Sequence, residues 1–275
     1  MAAADVVEIV PVFTQPSPRV RQVRMDAPWA WLAAGWRDLM GAPGVGLAYG
    51  AVFAAMGAAV TLGAFAAGVP HVILPLAAGF MLLGPILAAG LYDTSRRREK
   101  GLPVSLAQAF GAWRLNRTQI AFMGVALMLV FLFWIRIATL LFALFFSKAP
   151  PSLDQLIQAT FLSADALPFL LVGSAIGAGM AAFVFAISVV AVPMLLDRPV
   201  SVLTAIATSL TAVKLNLRPM AVWAALIALF TGVGLVTFYV GLVVTLPLIA
   251  HATWHAYKDV VVPDDAGGGA PAYTP

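Results

Sequence analysis

The chain contains no cysteine and only three histidines, which excludes several kinds of site at once. Without thiols it can form no disulfide, iron–sulfur cluster, thiolate zinc site or cysteine nucleophile. The histidines are His71, His251 and His255. Any metal or haem that depends on imidazole must therefore use these three side chains, and the sequence otherwise predicts no cofactor.

Charged residues are also scarce. They make up 10% of the 275 residues, whereas 62% are hydrophobic. A soluble domain has about 25% charged and about 45–50% apolar residues. A surface in contact with water cannot accommodate the observed composition, so lipid must surround much of the chain. The sequence therefore predicts an all-α fold, a polytopic transmembrane helix bundle forming a single membrane domain over residues 26–260.

The motifs of common enzyme classes are missing as well. The sequence has no Walker loop, no G-x-S-x-G elbow, no H-E-x-x-H pair and no dinucleotide-binding fingerprint. The apolar runs contain no pair of acidic residues suited to acid–base catalysis. No catalytic residue is predicted, and the sequence does not indicate an enzyme.

Long apolar runs in pairs dominate what is present. About 20 apolar residues cross a hydrocarbon core of roughly 30 Å. We predict six spans in three hairpins, at residues 45–68, 71–92, 119–147, 166–196, 219–238 and 241–257, the last two separated by a turn near Gly241. A single long helix over 219–257 is the alternative, with five spans. Residues 1–25 and 261–275 show no apolar period and are predicted to be disordered tails.

The basic residues lie almost entirely on one side of this topology. Among the connecting segments of the opposite side, only Lys148 is basic. Short loops rich in lysine and arginine stay in the cytoplasm. With six spans, both the N-terminus and the C-terminus are therefore expected to be cytoplasmic.

A short amphipathic segment precedes each hairpin. The three segments are PWAWLAAGWRDLM (28–40), SLAQAFGAWRLNR (105–117) and SVLTAIATSLTAVKLNLR (201–218). Their apolar residues recur at helical spacing, as in the stripe Trp29, Leu32, Trp36 and Leu39 of the first segment. Asp26, Ser105 and Ser201 are placed to cap the helices. Each segment is expected to form a helix that lies at the membrane interface.

Parts of the chain are similar to one another. The second and third segments end in AWRLNR and AVKLNLR, and the first and third hairpins close with ILPL…GLYD and TLPL…HAYKD. We interpret the chain as three copies of an interfacial helix followed by a hairpin, over residues 26–92, 103–197 and 199–258. All copies have one orientation, so the repeat would be parallel. Chance similarity among segments rich in alanine and leucine is the alternative.

Three stretches resemble a known family. GWRDLMGAPGVGLAYGAVFA, LPLAAGFMLLGPILAAGLYDTSRRREKG and LPLIAHATWHAYKDV are similar to an uncharacterised family of predicted bacterial integral membrane proteins, classed as a domain of unknown function. The resemblance covers about residues 28–260 and implies the bacterial cytoplasmic (inner) membrane. Some members carry a cytochrome c oxidase label. A haem–copper core needs many histidine ligands, so this chain is not such a catalytic subunit, whereas an accessory role beside one is open.

His251 and His255 lie four residues apart, on one face of a helix. With Asp93, which is expected at the same membrane level, they could form a metal site of two histidines and one carboxylate, or they could bind haem. The alternative is interfacial, because Trp254 and Tyr257 lie beside them and such rings collect where helices leave the membrane. A proton relay is the third interpretation.

Arg136 is the one charge inside a long apolar run. A buried arginine costs at least ~2.5 kcal/mol on insertion scales, so it needs a partner or water. Its position near the outer edge of the hydrocarbon favours a side chain that extends to the interface. A buried ion pair with Asp165 or Asp154 is the alternative. If the protein binds a substrate or ion from the outside, Arg136 and Asp165 are the candidates.

Two G-x-x-x-G steps occur in the apolar runs, Gly46 with Gly50 and Gly173 with Gly177. Small residues at this spacing let helices approach closely. We predict that they pack helices within the bundle, with a homodimer face as the alternative.

Three functions are open at this point. The first is a non-catalytic accessory or scaffold subunit of a membrane complex, with other membrane subunits or a second copy as partners. The second is a small transporter or lipid-handling protein, and the third is a metal- or haem-binding protein that uses His251 and His255. The basic run SRRREKG (95–101) predicts contact with the anionic lipids of the bilayer, and nothing indicates a nucleic-acid partner.

Overall fold

The computed structural model describes residues 18–146 and 166–263, and this part of the chain is helical. In chain order the helices are α1 (Ala27–Gly41), α2 (Pro43–Ala66), α3 (Ile73–Leu87), α4 (Ala89–Glu99), α5 (Leu106–Gly111), α6 (Arg117–Phe145), α7 (Ala166–Ser188), α8 (Ala191–Asp197), α9 (Val202–Leu215), α10 (Leu217–Val236) and α11 (Leu242–Val260). Within the described ranges the only β pairing is an isolated bridge. The predicted all-α fold is confirmed.

Five helical stretches are long and apolar enough to cross a membrane. They are α2, α3 with α4, α5 with α6, α7 with α8, and α10. The predicted break near Gly241 is present, and Phe238 and Tyr239 adopt positive φ there. A single helix over 219–257 is therefore wrong. The predicted sixth span corresponds to α11, which is not among the five, and its C-terminal half is mostly buried by protein.

The same backbone hinge joins each interfacial helix to the span that follows. Ala42, Asn116 and Asn216 lie immediately before α2, α6 and α10. Their φ angles are −147°, −147° and −119°, and their ψ angles are 55°, 64° and 39°. This conformation lies outside the α-helical region. It therefore ends the interfacial element and starts a separate helix.

Two of the three predicted helix caps are formed. The side chains of Ser105 and Ser201 accept hydrogen bonds from backbone amides three residues later, at the starts of α5 and α9. Asp26 makes no such bond at the start of α1. Its carboxylate instead accepts two hydrogen bonds from the Arg24 guanidinium, so the predicted cap is wrong there.

The packing order closes the helices into a ring. Each interfacial helix contacts the second half of the preceding hairpin, α5 against α4 and α9 against α7 and α8. The first one, α1, packs against α11, the last of the described helices. The first span of a hairpin also packs against the second half of the preceding hairpin in two cases, α2 against α11 and α6 against α3. Within the described residues α10 does not pack closely against α7, which leaves the third junction open.

The apolar stripe predicted on α1 faces outward in part. Trp29 and Trp36 are 59% and 47% exposed, whereas Trp31 and Leu39 are buried against the bundle. An interfacial helix has one apolar surface for lipid and another for protein, and helical spacing alone does not distinguish them. Two of the four predicted stripe residues therefore lie on the membrane side.

The start of the chain joins the folded part earlier than the sequence suggested. Val20 pairs with Val261 in the isolated bridge, and the Val23 amide donates to Asn216 Oδ1 at 2.8 Å. The predicted tail over 1–25 is therefore too long at its C-terminal end. Residues 1–17 and 264–275 lie outside the described residues.

Candidate functional site

A hydrogen-bonded network links α1, α4 and α11 at the end of the bundle that carries the interfacial helices. Asp38 on α1 is its centre. Asp38 Oδ2 accepts a hydrogen bond from Ser95 Oγ at 2.6 Å and lies 2.8 Å from His255 Nε2. Asp38 Oδ1 accepts from Arg98 Nε at 3.3 Å, and Ser95 Oγ lies 2.8 Å from His251 Nδ1. These five residues are called the Asp38 network below.

The charge of Asp38 decides which atoms donate. Burial favours the neutral carboxyl, but hydrogen bonds from His255 and Ser95 outweigh burial and lower the pKa of Asp38 to about 2. An ionised carboxylate only accepts, so the single hydroxyl hydrogen of Ser95 goes to Asp38. Ser95 Oγ must then accept from His251 Nδ1–H. The neutral His251 ring consequently carries its lone pair on Nε2.

That second nitrogen of His251 is enclosed. Its Nε2 atom is buried and has no hydrogen-bond partner in the described part of the chain. A Cβ placed on Gly46 would lie 3.7 Å from it, and the same point is 3.6 Å from Pro247 Cβ. The acceptor therefore faces an apolar contact between α2 and α11.

The predicted metal ligands do not converge. His251 and His255 each face an oxygen of the Asp38 network, while Asp93 binds Arg96 at 2.6 Å and Arg97 at 3.2 Å. Over residues 18–146 and 166–263, no group of three or more possible ligands is close enough to hold an ion. Asp38, rather than Asp93, is the carboxylate that meets the histidines. Sequence reasoning missed it because 217 residues separate Asp38 from His255.

A large apolar cavity lies on the other side of the bundle, between α3, α6 and α7. Its volume is about 670 Å³, and its walls include Leu82, Trp134, Phe142 and Phe169. Trp134 is held in place by a hydrogen bond of 2.8 Å from its Nε1 to the Pro75 carbonyl. Volumes of this size are typical of sites for small molecules.

A second apolar cavity continues the first toward the Asp38 network. It measures about 300 Å³, lies between α3, α7, α10 and α11, and shares Met81, Ala178, Ala181 and Ala228 with the first. Along α3 and α4 the two linings run from His71 to Tyr92, about 31 Å at the helical rise. That length matches the hydrocarbon thickness of a bilayer. Tyr92 lines the smaller cavity at the end nearer the Asp38 network, three residues before Ser95.

The glycine pairs have two different surroundings. A Cβ on Gly50 would lie 2.5 Å from the Val243 carbonyl oxygen, so this glycine sets the approach of α2 to α11. On α7, a Cβ on Gly177 would lie 3.2 Å from the Trp134 ring, whereas one on Gly173 would meet no atom within 4 Å. Both α7 glycines line the larger cavity. In the second pair, Gly177 therefore lies close to α6 through Trp134, whereas Gly173 borders open space.

Arg136 faces away from this cavity. Arg136 is exposed, whereas Trp134 and Ala138, each two residues away along the helix, are buried. Residues two apart point to nearly opposite sides of a helix, so Arg136 lies on the side of α6 away from the cavity. No acidic residue of the described part pairs with it. Its predicted partners Asp165 and Asp154 lie outside the described residues, as does Lys148.

The family described as "Predicted integral membrane protein (DUF2189)" matches residues 73–197. This segment runs from α3 through α8 and includes the helices that form the larger cavity. The predicted resemblance to an uncharacterised membrane-protein family is thereby confirmed, over a shorter stretch than 28–260. No curated protein and no solved structure shows a significant match to the chain. The protein is an integral membrane protein with several apolar helices long enough to span.

Proposed function

We propose that this protein handles lipids, and that the cavity between α3, α6 and α7 holds the apolar chain of a membrane lipid. The observation that carries the proposal is the cavity itself, about 670 Å³ of apolar space that is lined by helices long enough to cross a membrane and is partly open at the surface of the bundle. The lipids of the surrounding bilayer are the apolar molecules most abundant at that depth. The predicted topology would place the Asp38 network on the cytoplasmic side of the membrane and the larger cavity toward the opposite side.

The open junction supports an entry path. The smaller cavity lies between α7 and α10, the two helices that do not pack closely, so a chain can enter between them from the bilayer. Transfer from lipid to cavity gains little hydrophobic free energy, because both surroundings are apolar. Selective binding must then come from close packing against the walls, such as the fixed Trp134 ring.

The test introduces a larger side chain that occupies part of the cavity. Gly173→Leu places a side chain into the space where a Cβ meets no atom within 4 Å, so the variant should fold and exclude the ligand. The protein would be extracted in a mild detergent, and the lipids retained per chain would be counted by native mass spectrometry. We expect the wild type to retain about one tightly held lipid and Gly173→Leu to lose it.

Gly179→Leu is the matched control. Gly179 lies on the same helix, is exposed, and also has nothing within 4 Å of an added Cβ, but it does not line either cavity. Gly179→Leu should retain lipid like the wild type. Equal retention by wild type and Gly173→Leu, or equal loss in both variants, would overturn the proposal.

The second candidate function is an accessory or scaffold subunit. The exposed face of α6 favours it, because Leu129, Phe133 and Leu140 are each more than 60% exposed and, with the exposed Arg136 among them, form a largely apolar surface for lipid or for another span. A subunit should migrate with a larger complex on a native gel after gentle extraction from its own membranes. A lone species of about 29 kDa plus detergent would contradict it. Metal or haem binding is not part of the proposal, because within residues 18–146 and 166–263 no group of three or more possible ligands comes together around the histidines.

A further inference from the structure

The basic residues near the interfacial helices include two groups, and those of the first group form ion pairs with acidic residues of the same chain. The run predicted to touch anionic lipid belongs to it, since Arg96 and Arg97 bind Asp93 and Arg98 binds Asp38. The other acid-paired cations are Arg21 with Asp259, Arg24 with Asp26, Lys100 with Asp197, and Lys258 with Asp197 and Glu99. These charges hold the inner end of the bundle together.

The second group is free of acidic partners. It consists of five exposed cations next to the hinges at Ala42, Asn116 and Asn216, namely Arg37, Arg114, Arg117, Lys214 and Arg218. In the part of the chain that the structure describes, none of them pairs with an acid. We call them the hinge cations. They lie where an interfacial helix turns into a span, which is the level of the lipid headgroups.

At the second hinge, two of these cations share an aromatic ring. The guanidinium carbons of Arg114 and Arg117 lie 5.6 and 5.3 Å from the centroid of Trp113. Trp113 is 48% exposed and the neighbouring Leu115 is 49% exposed. The ring orients both guanidiniums by cation–π contact. Their N–H groups are left available to an outside acceptor.

We propose that Arg114, Arg117 and Trp113 bind the phosphate headgroup of an anionic phospholipid. The charges match, because a guanidinium presents paired N–H donors that fit the oxygens of a phosphate. The apolar surroundings select a lipid over an acidic protein segment, since Trp113 and Leu115 need an acyl or glycerol region to cover them. This surface site is separate from the cavity and stands without the proposed function.

The experiment measures lipid affinity of the full-length protein in mild detergent by native mass spectrometry. Phosphatidylglycerol and phosphatidylcholine with the same acyl chains are titrated in parallel. We expect a preference for phosphatidylglycerol that falls by about fivefold for each charge removed in Arg114→Gln and in the Arg114→Gln, Arg117→Gln double variant. Affinity for phosphatidylcholine should change little.

Three controls make the result specific. Arg24→Gln removes an exposed cation that pairs with Asp26 instead of stacking on a tryptophan, and it should leave the preference intact. An Arg114→Lys, Arg117→Lys variant keeps the charge but loses the paired N–H donors, so its preference should lie between those of the wild type and the double glutamine variant. Unchanged affinity for phosphatidylcholine identifies a glutamine variant that is correctly folded. Inorganic phosphate at millimolar concentration should not displace the lipid.

Several outcomes would overturn the proposal. They are an absence of preference in the wild type, an equal loss in Arg24→Gln, and full displacement by inorganic phosphate, which would indicate a site for the free ion. Gly173→Leu separates the two proposals, because it should empty the cavity without changing the headgroup preference.

Discussion

At His251 the two ring nitrogens have different surroundings. Nδ1 faces Ser95 Oγ, whereas Nε2 is buried against Gly46 and Pro247 without a partner. An unsatisfied buried acceptor costs about 1–3 kcal/mol. Despite this cost, the network fixes the tautomer of His251 that is protonated on Nδ1. Ser95 sets it, because its hydroxyl donates to Asp38 and can then only accept from the ring.

The tautomer can be measured directly, because the chain has only three histidines. We expect ¹⁵N-histidine NMR of the detergent-solubilised protein to show one neutral ring protonated on Nδ1, and that signal to vanish in His251→Gln. Ser95→Ala removes the acceptor for Nδ1–H, so it should shift the signal and reduce the free energy of unfolding by about 1–3 kcal/mol. Thr139→Ala, which removes an exposed hydroxyl on α6, should do neither. A ring protonated on Nε2 in the wild type would contradict the donor assignment.

At the scale of single elements, the asparagines of two similar hinge segments, Asn116 and Asn216, hold different parts of the chain in place. Asn116 donates to the Leu195 and Val200 carbonyls at 3.3 and 3.4 Å, and so fastens the segment before α9. Asn216 fastens the segment before α1, because it donates to the Arg21 carbonyl and accepts from the Val23 amide. At the remaining hinge, Ala42 has no side-chain amide to fasten the segment before α5.

Asn216→Ala should therefore destabilise the protein more than Asn116→Ala. Asn216 is buried and satisfies a donor and an acceptor at 2.8 and 3.0 Å, whereas the bonds of Asn116 are longer and run in one direction. We expect a loss of about 1–3 kcal/mol for Asn216→Ala and a smaller loss for Asn116→Ala. Unfolding in detergent, followed by circular dichroism, measures both. A larger loss in Asn116→Ala would contradict this ranking.

The sequence predicted the positions of the helices better than it predicted which side of each helix is buried. Apolar periodicity located the three interfacial helices, cap residues marked the starts of two of them, and glycine and turn residues located the break near Gly241. The outward position of Trp29 and Trp36 was not predictable, because lipid and protein interiors select the same residue types. The partnership of Asp38 with His255 was hidden for another reason, since it depends on which helices meet in the ring.

For the whole molecule, the ring explains both the network and the cavity. Where α1 meets α11, Asp38 reaches His255 directly and His251 through Ser95. Where α10 does not pack closely against α7, apolar space is left. Neither feature follows from any one segment, so local patterns did not reveal them. The three-copy organisation over 26–92, 103–197 and 199–258 stays a prediction. The order of packing is what such a repeat would produce.

The contact between α1 and α11 has a consequence for synthesis. During translation α1 leaves the ribosome before the other described helices, whereas α11, its main packing partner, is made about 200 residues later. Until residues 242–260 emerge, α1 lacks its most extensive protein contact, and the exposed Trp29 and Trp36 face can rest on the bilayer meanwhile. The nascent chain is thus an open arc until α11 emerges, and a ribosome that stops before residue 242 releases a chain in which α1 never meets α11.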